Sequence, residues 1–131
     1  MASIFSKIIA GDIPASFVHM DEHCVVFLDV NPQTLGHVLV VPRQEIGHWI
    51  DLPESLATHL FQVAQRVGQA QKSVYDCERV GLMIQGYEVD HTHIHVWPTN
   101  SLKDFSRSNA TTQPGREDLE AEAEKLRAAL A

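Results

Sequence analysis

The segment His91-Thr92-His93-Ile94-His95-Val96 alternates imidazoles with apolar or β-branched residues. Such an alternation sorts onto two faces only in an extended strand, where successive side chains point to opposite sides. The three rings are therefore expected to leave one face of a strand over His91–Trp97, each about 6.6 Å from the next. Thr92, Ile94 and Val96 would then rest on the core. As structure alone, this arrangement is costly. The ring nitrogens need partners, and neighbouring imidazoles oppose each other's protonation. Two chemistries account for it. Alternating histidines on a strand chelate zinc, or one imidazole attacks as a nucleophile while its neighbours orient it and move protons.

The rest of the chain offers short strands and longer helices. Residues 3–10 cluster Ile4, Phe5, Ile8 and Ile9 on one helical face, with Gly11 as the stop. Residues 16–20 and 24–29 read as strands about the turn Asp21-Glu22-His23, and Asn31-Pro32 breaks the second. Val38–Val41 and Val80–Ile84 are further strands. The longest helix is expected to follow Asp51, with Asp51 and Glu54 as a capping pair and Leu56, Leu60, Val63, Val67 and Val74 on the apolar face. Residues 99–115 read as a loop or arm. Residues 117–130 carry Leu119, Ala123, Leu126 and Leu130 at helical spacing, with acids early and bases late, which suits the helix dipole.

Composition narrows the function. The 131 residues fit one domain. A formal charge of −7 argues against broad binding to nucleic acid polymers or an anionic membrane. The N-terminus reads as neither a secretory signal nor a membrane span. Cys24 and Cys77 suit buried fillers in a reducing, cytoplasmic setting. His19, His23, His48 and His59 read as surface or packing residues. Trp97 reads as core. His37 opens one strand and Asp29 closes the strand before it. Near neutral pH much of a histidine is unprotonated and nucleophilic.

The run His91–Pro98 resembles the signature of the histidine triad (HIT) family, with Thr92 a mild departure. Residues 4–9 with Ile13-Pro14, Phe27–Pro32, Gly36–Arg43 and Gly86–Val89 match further family segments in order, over about residues 3–100. The resemblance implies an α+β, HIT-like fold: a five-stranded antiparallel sheet with two main helices plus a C-terminal helix, usually paired into a homodimer. Residues 1–100 would form the HIT domain. Residues 101–131 would form an arm and helix packed on that domain or on a dimer partner.

The resemblance also implies roles. His93 matches a nucleophile that forms a nucleotidyl-histidine intermediate, and His95 a residue that assists the leaving group. His91 and His37 match partners that orient the nucleophile and contact phosphate. Asp29 matches the ribose acceptor, while Ile4, Phe5, Ile8 and Val30 match the purine slot. Gln85 is expected at the substrate in place of a family asparagine. Asp90 is assigned no triad role. Glutamine in place of His95 would mark a transferase branch, so the expected activity is that of a purine nucleotide hydrolase or phosphoramidase on AMP conjugates or dinucleoside polyphosphates. Many bacterial relatives hold zinc through a Cys-x-x-Cys pair and histidines. Ser3, Ser6 and Glu45 stand at the corresponding positions, so neither metal nor cofactor is expected. Two alternatives stay open: a nucleotide-binding interaction protein with little turnover, and a metal-dependent hydrolase built on the triad.

Overall fold

A computed structural model describes residues 2–110 and 114–131. The expected loop over 99–115 forms two short 3₁₀ turns, Leu102–Phe105 and Arg107–Asn109, and its residues 111–113 lie outside the described residues. Five strands, β1 (Phe17–Met20), β2 (Cys24–Leu28), β3 (Val38–Pro42), β4 (Arg79–Met83) and β5 (Ile94–Thr99), form one antiparallel sheet in the order β1-β2-β3-β5-β4. Three helices, α1 (Ile4–Ile9), α2 (Glu54–Val74) and α3 (Arg116–Leu130), complete an α+β fold, as expected. No described helix is long and apolar enough to cross a membrane.

Strand parity divides the molecule. Cys24, Val26 and Leu28 of β2, Val38 and Val40 of β3, and Ile94 and Val96 of β5 face α2 and α3. They meet Leu60, Val63 and Val67 of α2 and Leu119, Ala123 and Leu126 of α3. The alternate residues Val25, Phe27, Leu39 and Val41 face the other way and pack on Phe5 and Ile8 of α1. Leu39 pairs with His95, so the histidines belong to this second face. The α3 helix thus extends the main core of its own chain.

Several boundaries differ from expectation. The last strand begins at Ile94 rather than His91. Pro42, opposite this region, has no N–H to donate, and its carbonyl is taken by His91 Nε2 at 2.8 Å. Thr92 instead bonds the Ile46 carbonyl through both its N–H and its hydroxyl. Asp51 does not cap α2: it ends a 3₁₀ turn, Trp49–Asp51, and the cap residue is Pro53. The residue before a proline is held extended, which delays the helix to Glu54. β4 spans Arg79–Met83, one residue earlier at each end than expected.

Candidate active site

Seven of the expected residues converge on one cleft of about 260 Å³ on the α1 face: Ile4, Phe5 and Ile8 of α1, Asp29 and Val30 after β2, and His93 and His95 at the start of β5. Ser3 starts α1 by accepting the Ser6 N–H at 3.0 Å, which fixes the helix over the sheet. The ring of Phe5 meets that of His93 edge-on at 4.9 Å. His37 and His91 lie behind the cleft, both fully buried. Gln85 is not in the cleft wall. Gly86 turns the chain at φ 76°, and Gln85 folds back to donate to Glu88 Oε1 at 2.7 Å and accept from Tyr87 N at 2.6 Å. Asp90 is exposed, with its carboxylate beside Gly47.

The hydrogen bonds assign a tautomer to each ring. His93 Nδ1 lies 2.7 Å from the His91 carbonyl, an acceptor only, so Nδ1 carries the proton. Nε2 of His93 is then a bare lone pair, and no described residue donates to it. His91 Nε2 donates to the Pro42 carbonyl, so its Nδ1 accepts from Ser3 Oγ at 2.7 Å. The Gln33 N–H donates to His37 Nδ1 at 2.8 Å, which puts the His37 proton on Nε2. That proton points at His95 Nδ1, 3.0 Å away. The remaining His95 proton sits on Nε2, a buried donor with no partner among the described residues.

Burial holds the rings of His37, His93 and His95 neutral. It lowers His93, lowers His95 to about 3 with help from the neighbouring His93, and lowers His37 to about 2 with help from His95. The same burial raises the Asp29 carboxyl to about 6, against the Asn31 N–H and the Arg107 charge. Asp29 Oδ2 lies 3.5 Å from His37 Nε2 and 3.7 Å from His95 Nδ1. These three groups could surround a cation. Yet His37 Nδ1 already accepts a backbone N–H, so ligation through Nε2 would demand an imidazolate. The Trp97 ring stacks on His37 at 5.3 Å and is itself fully buried.

A model of the HIT domain matches residues 10–102. The chain belongs to the HIT family. The Hit protein of Bacillus subtilis is 36% identical over 102 residues, covering 72% of this chain and 69% of its own. The adenosine 5'-monophosphoramidase HNT1 of Saccharomyces cerevisiae is 32% identical over 103 residues, covering 78% and 65%. A zinc-bound histidine triad family protein from Mycobacterium smegmatis superposes with a TM-score of 0.84 at 29% identity, over 99% of this chain and 94% of that one.

The zinc set that the HIT resemblance implies does not fit this chain. Ser3, Ser6, Glu45 and His91 do assemble, but as a hydrogen-bonded knot. Ser3 Oγ bonds His91, Ser6 Oγ donates to Glu45 Oε1 at 2.6 Å, and Ser3 N donates to the same oxygen at 2.7 Å. Zinc sites take thiolate, imidazole or carboxylate ligands, and two of these four groups are neutral hydroxyls.

Further residues of the HIT cleft went unassigned in the sequence. Phe27 and Leu39 line it. A signal existed, since Phe27 shares strand parity with Asp29, and Leu39 with His37. Glu88 also lines the cleft, and Arg107 reaches it from the arm at 3.3 Å while bonding Gln33 Oε1 at 2.8 Å. No local pattern announces that pairing.

Proposed function

We propose that this chain is a purine nucleotide hydrolase or phosphoramidase that attacks an α-phosphate with His93. The observation that carries the proposal is the unprotonated His93 Nε2 in the cleft, held by the Nδ1 bond to the His91 carbonyl. The nitrogen bonds to phosphorus as the leaving group departs, and water then cleaves the nucleotidyl-histidine. The unpartnered N–H of His95 assists the departing atom. Asp29 accepts from the ribose hydroxyls. Ile4, Phe5, Ile8 and Val30 give the purine apolar walls. Arg107 is a cation whose charge acts on Asp29, His37, His93 and His95, which suits a phosphate in their midst.

The test is release of AMP from an AMP-lysine phosphoramidate by the wild type and by His93→Ala. Loss of turnover in the variant and a trappable adduct on the wild type are expected, whereas equal release would remove His93 as nucleophile. The displacement of Gln85 from the cleft favours a second reading, a binding protein with little turnover. Tight AMP binding without any adduct would select it. The reading includes a homodimer in the cytoplasm. β4 is one edge of the sheet, and the exposed Phe61 and Leu82 beside it support pairing there.

A further inference from the structure

On the opposite face of the sheet from His93, four side chains with metal-binding chemistry meet at the β1–β2 turn. His19 comes from β1, Asp21 from the turn, Cys24 from β2 and His59 from α2. The Nε2 atoms of His19 and His59 each lie 2.8 Å from the same oxygen, Asp21 Oδ2, and Cys24 Sγ lies 3.5 Å from it. The other carboxylate oxygen is pinned by the backbone N–H groups of His23 and Cys24 at 2.8 and 2.9 Å, which aims Oδ2 at the imidazoles. The His23 ring borders His59 at 5.1 Å. Sequence periodicity treats these histidines as ordinary surface, because they come from segments forty residues apart.

We propose that His19 Nε2, Asp21 Oδ2 and Cys24 Sγ form a site for one divalent transition-metal ion of the zinc class, separate from the catalytic cleft. His59 stays outside as the hydrogen-bond donor that aligns Asp21. The three ligand atoms all lie within 4.8 Å of one another. Tetrahedral zinc with bonds of about 2.0–2.3 Å separates its ligands by roughly 3.3–3.8 Å. The Cys24–Asp21 distance already fits, and the His19–Asp21 distance must open by about half an ångström. One nitrogen, one carboxylate oxygen and one sulfur suit a borderline-soft cation. A carboxylate and a thiolate neutralise its two charges. His19 and Asp21 are about one-quarter exposed, so an ion can enter from solvent and keep an open position for water. Cys24 itself is fully buried. Burial, the Asp21 charge and the hydrogen bond to Asp21 keep its thiol protonated when no ion is bound, pushed up to about 12, against the smaller pull of Arg43 and Arg66. Metal binding therefore releases the Cys24 proton to solvent, and His19 moves its own proton to Nδ1. An outer donor such as His59 typically changes affinity by about 10–100-fold.

The experiment is a titration of the full chain with cobalt(II), followed by its thiolate charge-transfer absorption and displaced by zinc. One equivalent with a thiolate band is expected. Cys24→Ser removes the band, and Cys77→Ser, at the only other cysteine, keeps it. His19→Gln and Asp21→Asn weaken binding by more than His59→Gln, whose effect is about 10–100-fold. His95→Gln leaves binding unchanged, which separates this site from the cluster around Asp29. No thiolate band, a band that survives Cys24→Ser, or affinity indifferent to His19→Gln would each overturn the proposal. Because His19 lies near the surface, its variant tests the site even if Cys24→Ser fails to fold.

Discussion

Neutral imidazoles in a closed pocket have consequences that proton counts make testable. His37 and His95 titrate far below the ordinary value of about 6.5. Below that value the unfolded chain takes up protons that the folded chain refuses, so stability falls as pH drops from 7. Asp29 works in the opposite direction. Its folded pKa near 6 lets the native state take a proton first, which offsets part of the loss. The balance is a loss on the order of 2 kcal/mol between pH 7 and 5.5, measured by urea unfolding at the two pH values. His95→Gln should flatten that dependence. An unchanged slope would mean that the ring is not held neutral. Under the proposed function, the lowered His93 keeps its ring unprotonated on the acid side. The acid limb of the kcat profile should lie below pH 6.5.

Among the elements, α1 does two jobs. Its first turn is capped by Ser3, and the same hydroxyl bonds His91 Nδ1, which holds the ring whose carbonyl receives the His93 proton. Ser3→Ala should cost about 1 kcal/mol as a cap loss and lower kcat more than KM changes. A variant with reduced stability but native kcat would confine Ser3 to capping. The turn before β3 is equally specific. Gly36 has φ 88°, and a Cβ there would meet the Tyr75 ring, while Gln71 donates to the Gly36 carbonyl at 2.9 Å. Gly36→Ala should destabilise the chain by more than the roughly 0.5 kcal/mol usual for surface changes and disturb His37 next to it, as thermal unfolding and AMP binding would report. In the arm, Arg107 ties Glu88 to Gln33, and Gln33 in turn sets the His37 tautomer. This gives the arm a direct hold on the buried rings of the cleft.

At the scale of the molecule, one sheet keeps two chemistries apart by parity: helices and core on one face, cleft on the other. α3 contributes to that core, and Leu126 is fully buried in it. Leu126→Ala should cost about 2–5 kcal/mol, read from denaturant unfolding; a loss below 1 kcal/mol would show that α3 packs loosely. Pairing through the β4 edge predicts twice the chain mass in light scattering. Leu82→Asp combined with Phe61→Glu should shift it to the single-chain mass.

Much of this was legible without coordinates. Alternation in the triplet placed His93 and His95 on one side, Asp29 and His37 fell at strand ends, and helical spacing marked the buried faces of α2 and α3. Those signals are local, because strand and helix periods are set by the backbone alone. The start of β5, the delay of α2 and the retreat of Gln85 depended on proline and glycine acting against distant or neighbouring segments. Ring tautomers, the Arg107–Gln33–His37 chain and the cluster around Asp21 depended wholly on packing. Their partners lie tens of residues apart, and a hydrogen bond has a direction only once both ends are fixed in space.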